Sequence, residues 1–133
     1  MARSTAASTE HDYIVSLVAS LNSAKHTVYT NPNGEKNRKI VKDGAEYYPD
    51  VMLAPRGQST STMIVEVETA ETVTEDHALD QWEPYSRLNR VFYLLVPVGA
   101  LEEAKRICRK FAISARFGKY WHSGGGWRIA FNV

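Results

Sequence analysis

The chain has 133 residues, 44% of them hydrophobic, with 16 basic and 15 acidic side chains and a single cysteine, Cys108. That length suits one ordinary domain with a real core, the lone cysteine excludes a disulfide framework and a Cys-rich zinc site, and a net charge of +1 points to no class of partner by itself. No apolar run approaches a membrane span and the N-terminus lacks the apolar core of a signal peptide, so the expectation is a soluble, cytoplasmic protein with no membrane partner.

Residues 1–8 are small and polar and read as a flexible N-terminus, leaving 9–133 as a single domain. Thr9 can cap a first helix whose apolar positions Tyr13, Ile14, Leu17, Val18 and Leu21 recur at three- and four-residue intervals and which ends near Asn22-Ser23. Glu10 and Asp12 fall in its first turn, where the helix dipole favours acids. His26–Thr30 reads as a short strand stopped by Asn31-Pro32-Asn33-Gly34. The loop that follows carries Lys36, Arg38, Lys39 and Lys42, and Asp43-Gly44 turns the chain into a strand over 45–53. Most basic loops are merely solvated; this one runs directly into the strand that holds Asp50, which makes contact with a nucleic-acid backbone the alternative.

In Met63-Ile64-Val65-Glu66-Val67-Glu68 the alternation of a strand puts Glu66 and Glu68 on one face and Met63, Val65 and Val67 on the other. Turn formers in Arg56-Gly57-Gln58-Ser59 fold this strand back antiparallel on the preceding one, which brings Asp50 across to Glu66. Three crowded carboxylates repel one another and cost desolvation energy. A divalent cation compensates, and an all-oxygen donor set suits Mg²⁺ or Mn²⁺. For Glu68 alone, an acid facing water on an exposed sheet face is the alternative. Thr74 then caps a polar helix with Glu75 and Asp76 in its first turn. His77, with no second His or Cys at a ligand spacing, is expected on its surface, Trp82 in the core, and Pro84 should kink or end the helix with Tyr85 in the last turn.

Residues 91–98 form the most apolar run, as expected for a central strand covered on both faces. In the next helix Leu101, Ala104, Ile107, Cys108, Phe111 and Ala115 fall on one side, with Cys108 a small core residue. Lys105, Arg106, Arg109, Lys110 and Arg116 fall largely on the other, a candidate phosphate-facing surface whose alternative is a solvated face. The two charge signs are also segregated along the chain, with acids and no Lys or Arg from Glu66 to Glu83 and the reverse from Lys105 to Lys119. Residues 119–122 and 127–133 read as a closing hairpin around Ser123-Gly124-Gly125-Gly126, with Trp121, Trp127 and Phe131 as core or homodimer-contact candidates. The order of elements gives an α/β domain with a mixed central β-sheet flanked by helices.

Taken together, the central motifs resemble the PD-(D/E)xK nuclease superfamily, which has the restriction-endonuclease-like fold. Pro49-Asp50 and Glu66-Val67-Glu68 stand in the places of its Pro-Asp and acid-x-Lys signature, and Gln81 with Tyr85 matches the Gln-x-x-x-Tyr motif of its exonuclease-like branch. The likeness spans residues 46–96. It implies an αβββαβ core, Mg²⁺ or Mn²⁺ held by Asp50, Glu66 and the Val67 carbonyl, and hydrolysis of the phosphodiester bonds of DNA or RNA by in-line attack of water. Glu68 occupies the position of the family's Lys, as in some restriction enzymes of this fold, and would orient the water or hold a second ion; Gln81 and Tyr85 would position the substrate phosphate or the side chains of the site. The resemblance also makes Glu10 on the first helix a candidate metal ligand. The absent Lys keeps open a second reading, a non-catalytic nucleic-acid-binding or interaction module on the same fold.

Overall fold

Ser4, not Thr9, caps the first helix of the computed structural model, which describes residues 3–133; Met1 and Ala2, part of the terminus expected to be flexible, lie outside the described residues. The Ser4 hydroxyl accepts from the Ala7 amide, so α1 (Thr5–Asn22) starts earlier than the apolar period suggested and buries Ala7, His11, Ile14, Val15 and Val18 along one side. Next come β1 (His26–Thr30), β2 (Ile40–Lys42), β3 (Ala45–Tyr47), β4 (Val51–Pro55) and β5 (Met63–Val67). The single strand expected over 45–53 is therefore two. Pro49 has no amide to donate to a ladder and the Asp50 amide bonds the Glu66 side chain instead, so the pairing breaks there and β3 turns away to form a separate two-stranded hairpin with β2.

After β5 the chain passes through α2 (Glu75–His77), a π-helical turn (Ala78–Trp82) and α3 (Glu83–Ser86). It then runs through β6 (Val91–Pro97), α4 (Leu101–Lys110), β7 (Arg116–Ser123) and β8 (Gly126–Phe131). Six strands form one mixed sheet in the order β1-β4-β5-β6-β7-β8, with β5, β6 and β7 parallel and the other neighbours antiparallel. The closing hairpin and the buried apolar strand β6 match the sequence reading.

Strand alternation divides the core into two layers. On one face of the sheet Met52, Ile64, Phe92, Leu94 and Val96 pack with Trp82, Ala104, Ile107 and Cys108 from the helices that follow β5 and β6. On the other, Val51, Leu53, Val65, Val67, Tyr93 and Leu95 pack under Ile14, Val15 and Val18 of α1. Burial pushes the Cys108 thiol up to about 11, as suits a core residue that is no nucleophile. Gly118 is required on β7: a Cβ there would come within 2.9 Å of the Leu95 and Phe131 side chains on the neighbouring strands. α4 ends in a Schellman turn, with the Ile113 amide donating to the Cys108 carbonyl at 2.9 Å and Ala112 at φ +53°. The whole is an α/β domain with helices on both faces of the sheet, and among the described residues no helix is long and apolar enough to cross a membrane.

Candidate active site

The pairing of β4 with β5 sets Val51 opposite Val65, so Asp50, one step before β4, stands opposite Glu66. Each carboxyl takes a backbone amide from the other's strand: the Asp50 amide donates to Glu66 Oε1 at 2.9 Å and the Val67 amide to Asp50 Oδ2 at 2.8 Å. Both acids line a cavity of about 220 Å³ together with Gln81 and Tyr85 from the helical segment above the sheet. The π turn contributes to this placement. Pro84 cannot donate to Asp80, and the Glu83 amide reaches back five residues to the Ala78 carbonyl, so the helix widens there and continues to Ser86 instead of stopping at the proline.

Burial pushes the Glu66 carboxyl well above the usual carboxylate range, with the charges of Asp50 and then Glu68 adding to the effect. Tyr85 is likewise pushed upward, first by burial and then by the Glu66 charge, so its hydroxyl keeps its proton. His11, 1% exposed on the inner side of α1, stands with Nε2 3.1 Å from Asp50 Oδ2 and Nδ1 3.0 Å from Asp12 Oδ1. Burial pulls its imidazole down, but the hydrogen bond and charge of Asp50, with help from Asp12, outweigh this and the net shift is upward.

Glu68 shares the face of Glu66 but is not among the residues lining the cavity. It has no exposed surface: Thr72 Oγ1 donates to Oε1 at 2.7 Å, Trp82 Nε1 to Oε2 at 2.8 Å, Arg3 to Oε1 at 3.3 Å, and His77 Nε2 stands 3.1 Å from Oε1. In this arrangement it presents no oxygen to a water or a second ion in the cavity, and the reading that left Glu68 facing solvent is corrected. The physical reason is the roof formed by residues 70–82, which folds over the end of β5 and supplies the donors. His77, expected on the surface, is buried for the same reason. Glu10 does not reach the cavity: the Tyr120 hydroxyl stands 2.7 Å from both Glu10 Oε2 and the Glu68 carbonyl.

Of the basic candidates, only Lys36 lines the cavity with Asp50 and Glu66, stacked over the Tyr48 ring at 5.3 Å. Arg38 and Lys39 border a separate cavity, Arg38 lying over Tyr29 and Lys39 paired with Glu46. On α4, Arg106 and Lys110 are bound to Glu75, and Arg106 also to Glu103, while Lys105 lies over Phe117. Arg109 is exposed in the last turn. The acidic and basic stretches separated in sequence are thus partly paired in space, which leaves α4 a less open cationic face than its pattern suggested.

Three contributors escaped the sequence reading. His11 sits at the helical spacing of Ile14, Val15 and Val18, and a histidine on that apolar face was the available signal. Asn31, 4% exposed, is fully bonded: its amide donates to the carbonyls of Arg38 and Pro49 at 2.7 Å, and its oxygen accepts from the amides of Asn37 and Arg38 at 2.8 Å. It ties the basic loop to the residue before Asp50. Arg3 reaches the site from the N-terminal segment, donating to the Val67 carbonyl at 3.2 Å.

Asp50 and Glu66 bring carboxyl oxygens to the cavity, and Glu66 carries the electrostatic strain that a bound cation would relieve; the Val67 carbonyl, the third expected ligand, accepts from Arg3 instead and is not among the lining residues. Among the described residues no three His, Cys, Asp or Glu side chains gather as a metal cage. No protein-family model matches the chain, and no curated protein or solved structure matches it either.

Proposed function

We propose that this protein is a Mg²⁺- or Mn²⁺-dependent nuclease of the PD-(D/E)xK kind, built on a restriction-endonuclease-like core and acting on nucleic acid, DNA in the first place. The observation that carries the reading is the meeting of Asp50, Glu66, Gln81 and Tyr85, from three separate segments, at one cavity. Asp50 and Glu66 would hold the ion, joined by the Val67 carbonyl only where Arg3 releases it, and the ion when bound would supply positive charge to a phosphoryl oxygen and acidify water. The Val67 amide holds Asp50 Oδ2, and His11 Nε2 stands 3.1 Å from the same oxygen, where a protonated imidazole would offset its charge. The Tyr85 hydroxyl, held protonated, is a hydrogen-bond donor for a phosphate oxygen, and the Gln81 amide offers a second. Lys36 at the rim attracts the backbone.

One observation favours the non-catalytic module: with Glu68 enclosed, no side chain from position 68 reaches the cavity to act on water. Calorimetric titration with Mn²⁺, with cleavage assays on single-stranded and duplex DNA and on RNA, separates the readings. The nuclease binds Mn²⁺ and cleaves at least one substrate, and Asp50→Ala loses both. Mn²⁺ binding without cleavage of any substrate supports the module, and absence of Mn²⁺ binding overturns the metal site.

A further inference from the structure

The N-terminal segment is pinned against the cavity by more contacts than a capping role needs. The Ser4 amide and hydroxyl both donate to the Glu71 carboxylate, at 2.9 and 2.7 Å, and hold the preceding residue over the end of β5. Arg3 then points into the cavity lined by Asp50 and Glu66. One guanidinium nitrogen donates to Asn33 Oδ1 at 3.2 Å, and the other to the Val67 carbonyl and to Glu68 Oε1. Nε is buried and has no partner among the described residues. A guanidinium has five N–H donors, and these three bonds leave Nε–H and one N–H of the nitrogen bonded to Asn33 without an acceptor. Lys36 lines the same cavity. A buried donor without an acceptor is costly, and a guanidinium N–H beside a lysine suits the oxygens of a phosphate.

We infer that Arg3 and Lys36 form a phosphate subsite at this cavity, with Glu68 acting as the anchor that aims Arg3. The inference rests on the nucleic-acid reading above and assigns Glu68 a positioning role through Arg3. Arg3 and Lys36 share the cavity with the acids Glu35, Asp50 and Glu66, so a bound phosphodiester would turn its oxygens toward Arg3 and Lys36 and its scissile bond toward Asp50 and Glu66.

The test is fluorescence anisotropy with a 5′-labelled single-stranded oligothymidine in EDTA over a range of salt concentrations, alongside Mn²⁺ calorimetry on the same variants. Arg3→Ala should weaken oligonucleotide binding about 10- to 100-fold, and the slope of log affinity against log salt should fall by about 0.7, one phosphate contact on a single strand. Arg3→Lys should keep most of the slope and lose part of the affinity, because charge remains while the fork does not. Lys36→Ala, which leaves Arg3 and Glu68 paired, serves if the Arg3 variant melts early, and should lower the same slope by about 0.7. Unchanged affinity and slope in these variants, or no measurable binding by the parent chain at low salt, overturns the inference. So does a variant that binds Mn²⁺ more tightly while holding the oligonucleotide as before, which would make Arg3 a plug on the Val67 carbonyl. Failure of the nuclease reading appears separately, as a parent chain that does not cleave with Mn²⁺ whatever Arg3 does in EDTA.

Discussion

Replacing Glu68 by Gln tests whether this acid is the structural centre of the roof over β5. Its oxygens accept from Thr72 and Arg3 on one side and from the Trp82 indole on the other, with no exposed surface. A glutamine has one acceptor oxygen and one NH₂ donor, so either the Trp82 N–H or the Thr72 and Arg3 donors must face another donor. An unsatisfied buried donor costs about 1–3 kcal/mol, and losing the acidic partner of Arg3 adds about 1 kcal/mol. The sum is about 3 kcal/mol. With an unfolding entropy near 2.1 cal/mol/K per residue, this lowers the melting temperature of a chain of 133 residues by about 10 °C. Urea denaturation followed by circular dichroism gives the free-energy change. A double-mutant cycle with Trp82→Phe should then show a coupling of at least about 1 kcal/mol, because the indole donor loses its acceptor only once. A loss within about 0.5 kcal/mol, the range of ordinary surface substitutions, would refute the enclosed Glu68 and restore an acid facing water.

Ala112→Gly should stabilise the protein by about 1 kcal/mol, since a residue at φ +53° after α4 suits glycine better than alanine; an unchanged or lower urea midpoint argues against that turn. Gly118→Ala should cost about 1–3 kcal/mol, because the added methyl meets Leu95 and Phe131 at 2.9 Å, and a neutral effect in thermal melts would contradict the packing of β6, β7 and β8. Without divalent cation, stability should fall as pH rises. Glu66 is protonated in the fold above its ordinary 4.5 and His11 holds its proton above 6.5, so both contributions are complete below those values and are lost as pH passes the folded ones. Glu66→Gln should flatten the lower part of that profile, and an identical profile would mean that Glu66 is not raised. Added Mg²⁺ should raise the melting temperature of the parent chain and leave Asp50→Ala unmoved, as measured by differential scanning fluorimetry.

How much of this was legible depended on the range of each contact. The Asp50–Glu66 pairing followed from a two-residue period on two strands joined by a short turn, and the structure sets them opposite each other. Gln81 and Tyr85 came from the resemblance to a Gln-x-x-x-Tyr motif, and both line the same cavity. The same alternation put Glu68 beside Glu66 but could not show that residues 70–82 fold over it, because that depends on where Thr72, His77 and Trp82 come to rest. Rules about metal-ligand spacing sent His77 to the surface because they consider metals, whereas its neighbour is a carboxyl. Arg3 meets Val67 across 64 positions, and nothing in a small, polar stretch announces such a contact. The break between β3 and β4 was written in Pro49, but a continuous apolar-aromatic run masked it.

The widened turn over Ala78–Trp82 has a consequence for how the chain can change in length. The helix holds one residue more than regular winding would need between Ala78 and Glu83. Losing the exposed Leu79 would turn the bond from the Glu83 amide to the Ala78 carbonyl into an ordinary helical one, so Glu83 and everything beyond it, Tyr85 included, would keep their places. Only the side chains between Ala78 and Glu83 would be redistributed around the axis, Gln81 among them. A one-residue change of length is thus absorbed within the turn, and the placement of Tyr85 depends on the two ends of the turn more than on the number of residues between them.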